Sequence, residues 1–87
     1  MVSRKIVISD PAGLHLRPAK KFCEIAMRYA CSVAFDYHDG CACANAKSVL
    51  SVLAAGIRGG EEITVRCDGE DEEEALAAFV SEFGTKR

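Results

Sequence analysis

Hydrophobic residues along the chain fall into short stretches whose spacing names each element. Ile6 and Ile8 alternate with Lys5, Val7 and Ser9, a half-buried strand that Asp10-Pro11-Ala12-Gly13 brings to a turn. From Pro18 the period changes. Ala19, Phe22, Cys23, Ala26 and Ala30 keep the i, i+3, i+4, i+7, i+11 series, with Lys20, Lys21, Glu24 and Arg28 on the other side, and this predicts an amphipathic helix. Pro18 suits its first turn, where a backbone N–H has no intrahelical partner to lose.

Val33, Phe35 and Tyr37 alternate with polar or small residues and predict a second strand, and Asp39-Gly40 supplies the residue types that tolerate positive φ in a hairpin turn. The stretch from Cys41 to Ala44 follows as a third strand, with little β-branching to favour it. Val49, Leu50, Val52 and Leu53 predict a short, unusually apolar helix that starts near Ser48 and stops at Gly56. Gly59-Gly60 opens a loop, Ile63, Val65 and Cys67 alternate as a fourth strand, and Asp68-Gly69 closes it. Asp71 and Glu74 have the spacing of a capping box, and the acidic run Glu70 to Glu74 complements the positive end of a helix. Leu76, Phe79, Val80 and Phe83 line one face of that last helix, and Gly84 stops it.

The resulting order, β-α-β-β-α-β-α, predicts an α+β fold: an open-faced two-layer sandwich with a four-stranded antiparallel sheet and three helices on one face. With 87 residues there is one core to build, so residues 1–87 are expected to form one domain. A hydrophobic share of 49% beside 28% charged residues is the balance of a folded chain.

Charge narrows the range of partners. A net charge of -2 with scattered basic residues gives no attraction to nucleic acid. Membrane insertion is disfavoured too, because no apolar run approaches the ~20 residues of a spanning helix. Ile6-Val7-Ile8, behind Arg4 and Lys5, is shorter than the about 7–15 residues of a signal-peptide core, and the expected location is cytoplasmic. The five cysteines, at 23, 31, 41, 43 and 67, form no C-x-x-C pair. Cys23 and Cys67 sit on apolar periodicities and read as small core residues. Cys41 and Cys43 would share a face of a strand, but a metal centre there needs two further ligands, of which His38 is the nearest candidate. No metal site is expected.

Chemistry concentrates at His15. It precedes the predicted helix, whose first N–H groups have no intrahelical partners and whose dipole favours an anion. Arg17 offers planar, charged N–H donors that match phosphate oxygens, and Gly13 lets the backbone turn tightly enough to expose the ring. A neutral imidazole is a competent nucleophile, so these groups suit a phosphoryl group held covalently and briefly. No G-x-x-x-x-G-K-[ST] loop stands beside it to hold a nucleotide, and the phosphoryl group is expected from a partner protein, without a cofactor. The plain alternative is a surface histidine next to a turn.

The segment GLHLRPA at residues 13 to 19 resembles the active-site segment of the histidine-containing phosphocarrier HPr family of the phosphoenolpyruvate-dependent phosphotransferase system, including its nitrogen-branch relatives. The similarity continues through NAKSVLSVLAAGI at 45 to 57 and GEDEEEAL at 69 to 76, and covers essentially the whole chain. It implies an HPr-like fold and a phosphoryl carrier, not an enzyme with turnover. His15 is then the residue phosphorylated, through Nδ1, and Arg17 stabilises the phosphoryl group. Enzyme I is the implied donor and sugar-specific IIA domains the acceptors, with the carrier a monomer.

Ser48 matches a serine that a dedicated HPr kinase/phosphorylase modifies in many bacteria with this system, while on its own it reads equally as a helix cap. Leu16, Lys20, Val49, Leu50 and Leu53 match the docking patch. Some of the α-helical positions must be core, but Val49, Leu50, Val52 and Leu53 cover too much of the circumference for all to face inward. The stretch from Phe35 to Ser48 is longer than the family pattern, and Cys41 and Cys43 are unusual there. Two further readings stand beside the carrier: a regulatory binding protein switched at Ser48, and a metal or redox module built on His38, Cys41 and Cys43.

Overall fold

The computed structural model of the protein describes residues 1–83. Its elements follow the predicted order: β1 Val2–Val7, α1 Leu16–Met27, β2 Ser32–Tyr37, β3 Ala42–Asn45, α2 Val49–Ala54, β4 Glu62–Asp68 and α3 Glu72–Phe83. The four strands lie in the order β1-β4-β2-β3, and every pairing is antiparallel. Alternation sorts the faces. Ile6 stands opposite Ile63, Val33 opposite Cys67 and Phe35 opposite Val65, and all six are buried on the side the helices cover. The other face carries Lys5, Asp36, Thr64 and Arg66 toward solvent.

Aromatic packing joins the two layers. The Phe22 ring of α1 lies 5.3 Å from Phe35 on the sheet, 4.7 Å from Phe79 and 5.1 Å from Phe83 on α3, centroid to centroid. Such tilted and edge contacts contribute about 0.5–1.5 kcal/mol each beyond area burial, so Phe22 is the residue on which sheet and helices converge. Lys21 pairs with Glu82 at 2.9 Å on the outside of the same α1–α3 contact.

The structure corrects several details of the sequence reading. Ala30, which continues the α1 series in sequence, lies beyond the helix end and is exposed, whereas Ile25 is buried on α1 without belonging to that series. The hairpin turn is wider than Asp39-Gly40. Its bridging bond runs from the Cys41 N–H to the His38 carbonyl at 3.1 Å, and three consecutive residues take positive φ: His38 (52°), Asp39 (56°) and Gly40 (83°). Cys41 is therefore a turn residue, and only Cys43 lies on β3.

Asp71 does not build the capping box predicted with Glu74. Its carboxylate accepts the N–H groups of Ala30 (2.8 Å) and Cys31 (2.9 Å), tying the exit of α1 to the entrance of α3. Glu72 reaches back instead, accepting the Gly69 N–H at 3.0 Å. The Ala30 N–H, helped by Cys31, holds the Asp71 carboxyl below its ordinary range, because both bonds favour the charged form. Gly84, the predicted helix stop, lies outside the described residues.

Candidate functional site

His15 is the N-cap of α1, in extended backbone (φ -82°, ψ -170°), and its side chain makes no capping bond. Its carbonyl accepts the Ala19 N–H at 2.9 Å, the first bond of the helix. Leu16 and Arg17 present N–H groups that the helix cannot pair, and Pro18, at the third helical position, has none to present. The imidazole is therefore exposed beside backbone donors and the positive end of a helix dipole.

The loop that delivers His15 is fixed at both ends. The Gly13 N–H binds the Asp10 carbonyl at 2.8 Å, the Ala12 N–H binds Asp10 Oδ1 at 2.9 Å, and the Leu14 N–H binds the Ile57 carbonyl at 2.9 Å. Leu14 is buried, anchoring the loop to the core one residue before the exposed histidine. At Gly13 the backbone takes φ +73°, and a Cβ would lie 2.1 Å from the Ile57 oxygen. Only glycine meets both conditions. That Ile57, Gly59 and Glu61 hold this loop is not readable from the sequence. Gly59-Gly60 was the visible signal there, and periodicity assigns a partner to neither.

His15, Leu16, Arg17 and Lys20 share one shallow depression with Lys21 and Glu24. Three of its six side chains, Arg17, Lys20 and Lys21, are basic, which suits a surface that meets a phosphoryl group or an acidic partner. Leu16 is 60% exposed at its rim. The α2 residues Val49, Leu50 and Leu53 do not line the depression, although α2 packs against α1. Val52 is the buried residue of α2, Val49 and Leu53 are half-buried, and Leu50 is 79% exposed. The apolar surface expected on that helix thus resides mainly in Leu50.

Ser48 is the N-cap of α2, its Oγ accepting the Ser51 N–H at 3.2 Å. Across the α1–α2 seam, Cys23 Sγ donates to the Lys47 carbonyl at 3.2 Å and Lys47 Nζ to the Tyr29 carbonyl at 3.0 Å. The cysteines stay apart as ligands. His38 Nδ1 faces Glu61 at 3.8 Å, Cys43 Sγ faces Arg66 at 3.0 Å, and among the described residues no group of three potential ligands could hold a metal ion. Burial, with the neighbouring Cys31 thiol, pushes Cys67 up to about 12, as expected of an inert core thiol. Among the described residues no helix is long and apolar enough to cross a membrane.

The imidazole at the helix entrance, with Arg17, Lys20 and Lys21 beside it, thus lies on open surface and not in an enclosed cleft. Comparison with known proteins shows the family. The family model for the HPr component phosphorylation site of the phosphotransferase system matches residues 2–84. The phosphocarrier protein HPr of Mycoplasma genitalium is 40% identical over 73 residues, 84% of this chain and 82% of that protein. The HPr-like protein Crh of Bacillus subtilis is 39% identical over 85 residues, 94% of this chain and 98% of that one. The crystal structure of HPr from Thermoanaerobacter tengcongensis superposes with a TM-score of 0.87 at 31% identity, over 93% of this chain and 89% of that chain. The chain belongs to the HPr family, the phosphocarriers of the phosphotransferase system.

Proposed function

We propose that His15 accepts a phosphoryl group from enzyme I and passes it to IIA domains, with Arg17 holding the transferred group. The observation that carries this reading is the placement of an uncommitted imidazole at the N-cap of α1, in one depression with Arg17. An imidazole nitrogen, Nδ1 by family resemblance, attacks phosphorus. The P–N bond forms as the donor's bond to phosphorus breaks, and the electron pair leaves with the donor. In the second half the acceptor attacks and His15 departs as the neutral base. Arg17 and the Leu16 and Arg17 N–H groups offset the charge of the moving group, and no metal or cofactor is needed from this chain. The adduct is an intermediate carried between partners in the cytoplasm, and the chain works as one HPr-like unit without turnover of its own.

Leu16, Lys20, Leu50 and the half-buried Val49 and Leu53 form the docking surface in this reading. Ser48 is its regulatory site, since a phosphate on Oγ sits beside that surface at the start of α2. The similarity to Crh of Bacillus subtilis, named a catabolite repression containing protein, favours the alternative of a regulatory binding protein switched at Ser48, and the carrier reading has the better support.

The test is incubation with phosphoenolpyruvate, magnesium and enzyme I. Formation of an acid-labile, base-stable adduct that His15→Ala abolishes and Arg17→Ala slows supports the reading. An adduct that survives His15→Ala refutes it.

A further inference from the structure

We propose that Glu61 is a positioning residue for transfer at His15, its carboxylate setting the shape of the segment to which both ends of the His15 loop are bonded. The inference rests on the reading of His15 as the acceptor.

Glu61 closes one turn twice. Its Oε1 accepts the Arg58 N–H at 2.7 Å, and its own N–H donates to the Arg58 carbonyl at 3.1 Å. The first is a charge-assisted bond, about twice as strong as its neutral counterpart. This turn is then stitched to the start of the His15 loop: Gly60 N–H donates to the Ile8 carbonyl at 2.7 Å, and Ile8 N–H to the Glu61 carbonyl at 2.9 Å. At the far end of the loop, Leu14 N–H binds the Ile57 carbonyl at 2.9 Å. Between these anchors Gly59 packs on the loop itself, where a Cβ would lie 2.5 Å from the Asp10 oxygen and 2.6 Å from that of Pro11.

The two segments therefore have no slack between them. A change in the 58–61 turn is passed to Ile57, from Ile57 to Leu14, and from Leu14 to the N-cap histidine beside it. The second carboxylate oxygen faces His38 Nδ1 at 3.8 Å, in a cleft that Gly56, Arg58, Gly59 and Gly60 also line, so the β2–β3 hairpin lies against the same turn. Glu61 never reaches the reacting atoms and acts only through this backbone. Because Arg58 is exposed, loss of the carboxylate leaves its N–H to water, so the turn loosens while the core stays closed.

The experiment compares the full chain with Glu61→Ala and Glu61→Gln. Enzyme I-dependent phosphorylation is followed at varied carrier concentration, and amide hydrogen exchange is measured by NMR. Glu61→Ala is expected to lower kcat about tenfold with KM nearly unchanged, since displacements near 1 Å in a transfer site cost up to ~10²-fold. Exchange should quicken at Leu14 and Ile8 but not at Ala46, whose N–H binds the Val33 carbonyl across the hairpin at 3.0 Å. Glu61→Gln keeps an acceptor oxygen, without the charge, and recovers a substantial part of both readouts. A wild-type kcat in Glu61→Ala, failure of glutamine to rescue, or equal quickening at Ala46 overturns the proposal. Should the unmodified chain take up no phosphoryl group, the acceptor reading falls, and exchange at Leu14 still decides whether Glu61 shapes the loop.

Discussion

The Leu14 amide donates to the Ile57 carbonyl at 2.9 Å, and this bond joins the loop that presents the candidate nucleophile to the exit of α2. Gly13 passes so near the same carbonyl that any side chain there collides with backbone, at φ +73°. Gly13→Ala is accordingly expected to destabilise the protein by about 2 kcal/mol or more, combining left-handed strain with displacement of Ile57. Urea denaturation measures this, and phosphorylation of His15 should slow at denaturant-free conditions where the variant is still folded. An unchanged urea midpoint would mean the loop can retreat from Ile57 at no cost.

Leu50, 79% exposed on a helix whose buried residue is Val52, is available for a partner. Leu50→Ala should leave stability within about 0.5 kcal/mol of wild type. Its affinity for enzyme I should nonetheless fall about fivefold or more, the loss typical of truncating a central apolar contact. Val52→Ala is expected to do the reverse, costing roughly 2 kcal/mol of stability. Thermal melts and titration calorimetry on both variants separate the two roles, and equal behaviour of the pair contradicts them.

Asp71 joins α1 to α3 most strongly when ionised, since both carboxylate oxygens then accept N–H groups. Its carboxyl is held below the ordinary range by the Ala30 N–H first and the Cys31 N–H after it, so the folded state binds the proton less readily than the unfolded chain. That contribution is fully present above the unfolded carboxylate value and is lost as pH falls through the depressed folded value. Asp71→Asn should melt below wild type at neutral pH, with the gap narrowing as acid is added. Melting curves across the acid range give the result, and a gap that widens in acid would contradict the assignment.

The five thiols differ in access. Cys41 and Cys43 are exposed, Cys23 is half-buried and committed to the Lys47 carbonyl, and Cys31 and Cys67 are buried, with Cys67 pushed up to about 12 by burial. Ellman's reagent at neutral pH should label Cys41 and Cys43 promptly and Cys23 more slowly. Cys31 and Cys67 should wait for unfolding. Mass spectrometry of the labelled peptides tests this order, and prompt labelling of Cys67 contradicts a closed core over β4.

Local pattern made the elements and the candidate nucleophile legible, because periodicity, Pro18 and the glycine turns act within a few residues of themselves. Strand alternation placed Val33, Phe35, Ile63, Val65 and Cys67 on the covered face, and all are buried there. What stayed hidden is contact between distant segments. Asp71 and Glu74 have the spacing of a capping box, yet two backbone N–H groups 40 and 41 residues away recruit the Asp71 carboxylate. Nothing near Gly13 announces that its neighbour is Ile57. His38 has no turn signature of its own, so its left-handed backbone and the wider hairpin could not be read from Asp39-Gly40. The apolar count on α2 correctly required exposure, but the choice of Leu50 depended on which side α1 occupies.

The pairing of β1 with β4, which sets Val7 opposite Glu62, also governs the order of assembly. As the chain leaves the ribosome, residues 8–15 emerge well before their anchors at Ile57, Gly60 and Glu61. A nascent chain shorter than β4 can form α1 and the β2–β3 hairpin from local contacts, while the histidine remains on an untethered segment. Closing so long a loop is slow relative to helix formation, because its entropy must be lost before the pairing rewards it. Competence to carry a phosphoryl group is thus acquired late in synthesis, and an incomplete chain displays the histidine without the frame that aims it.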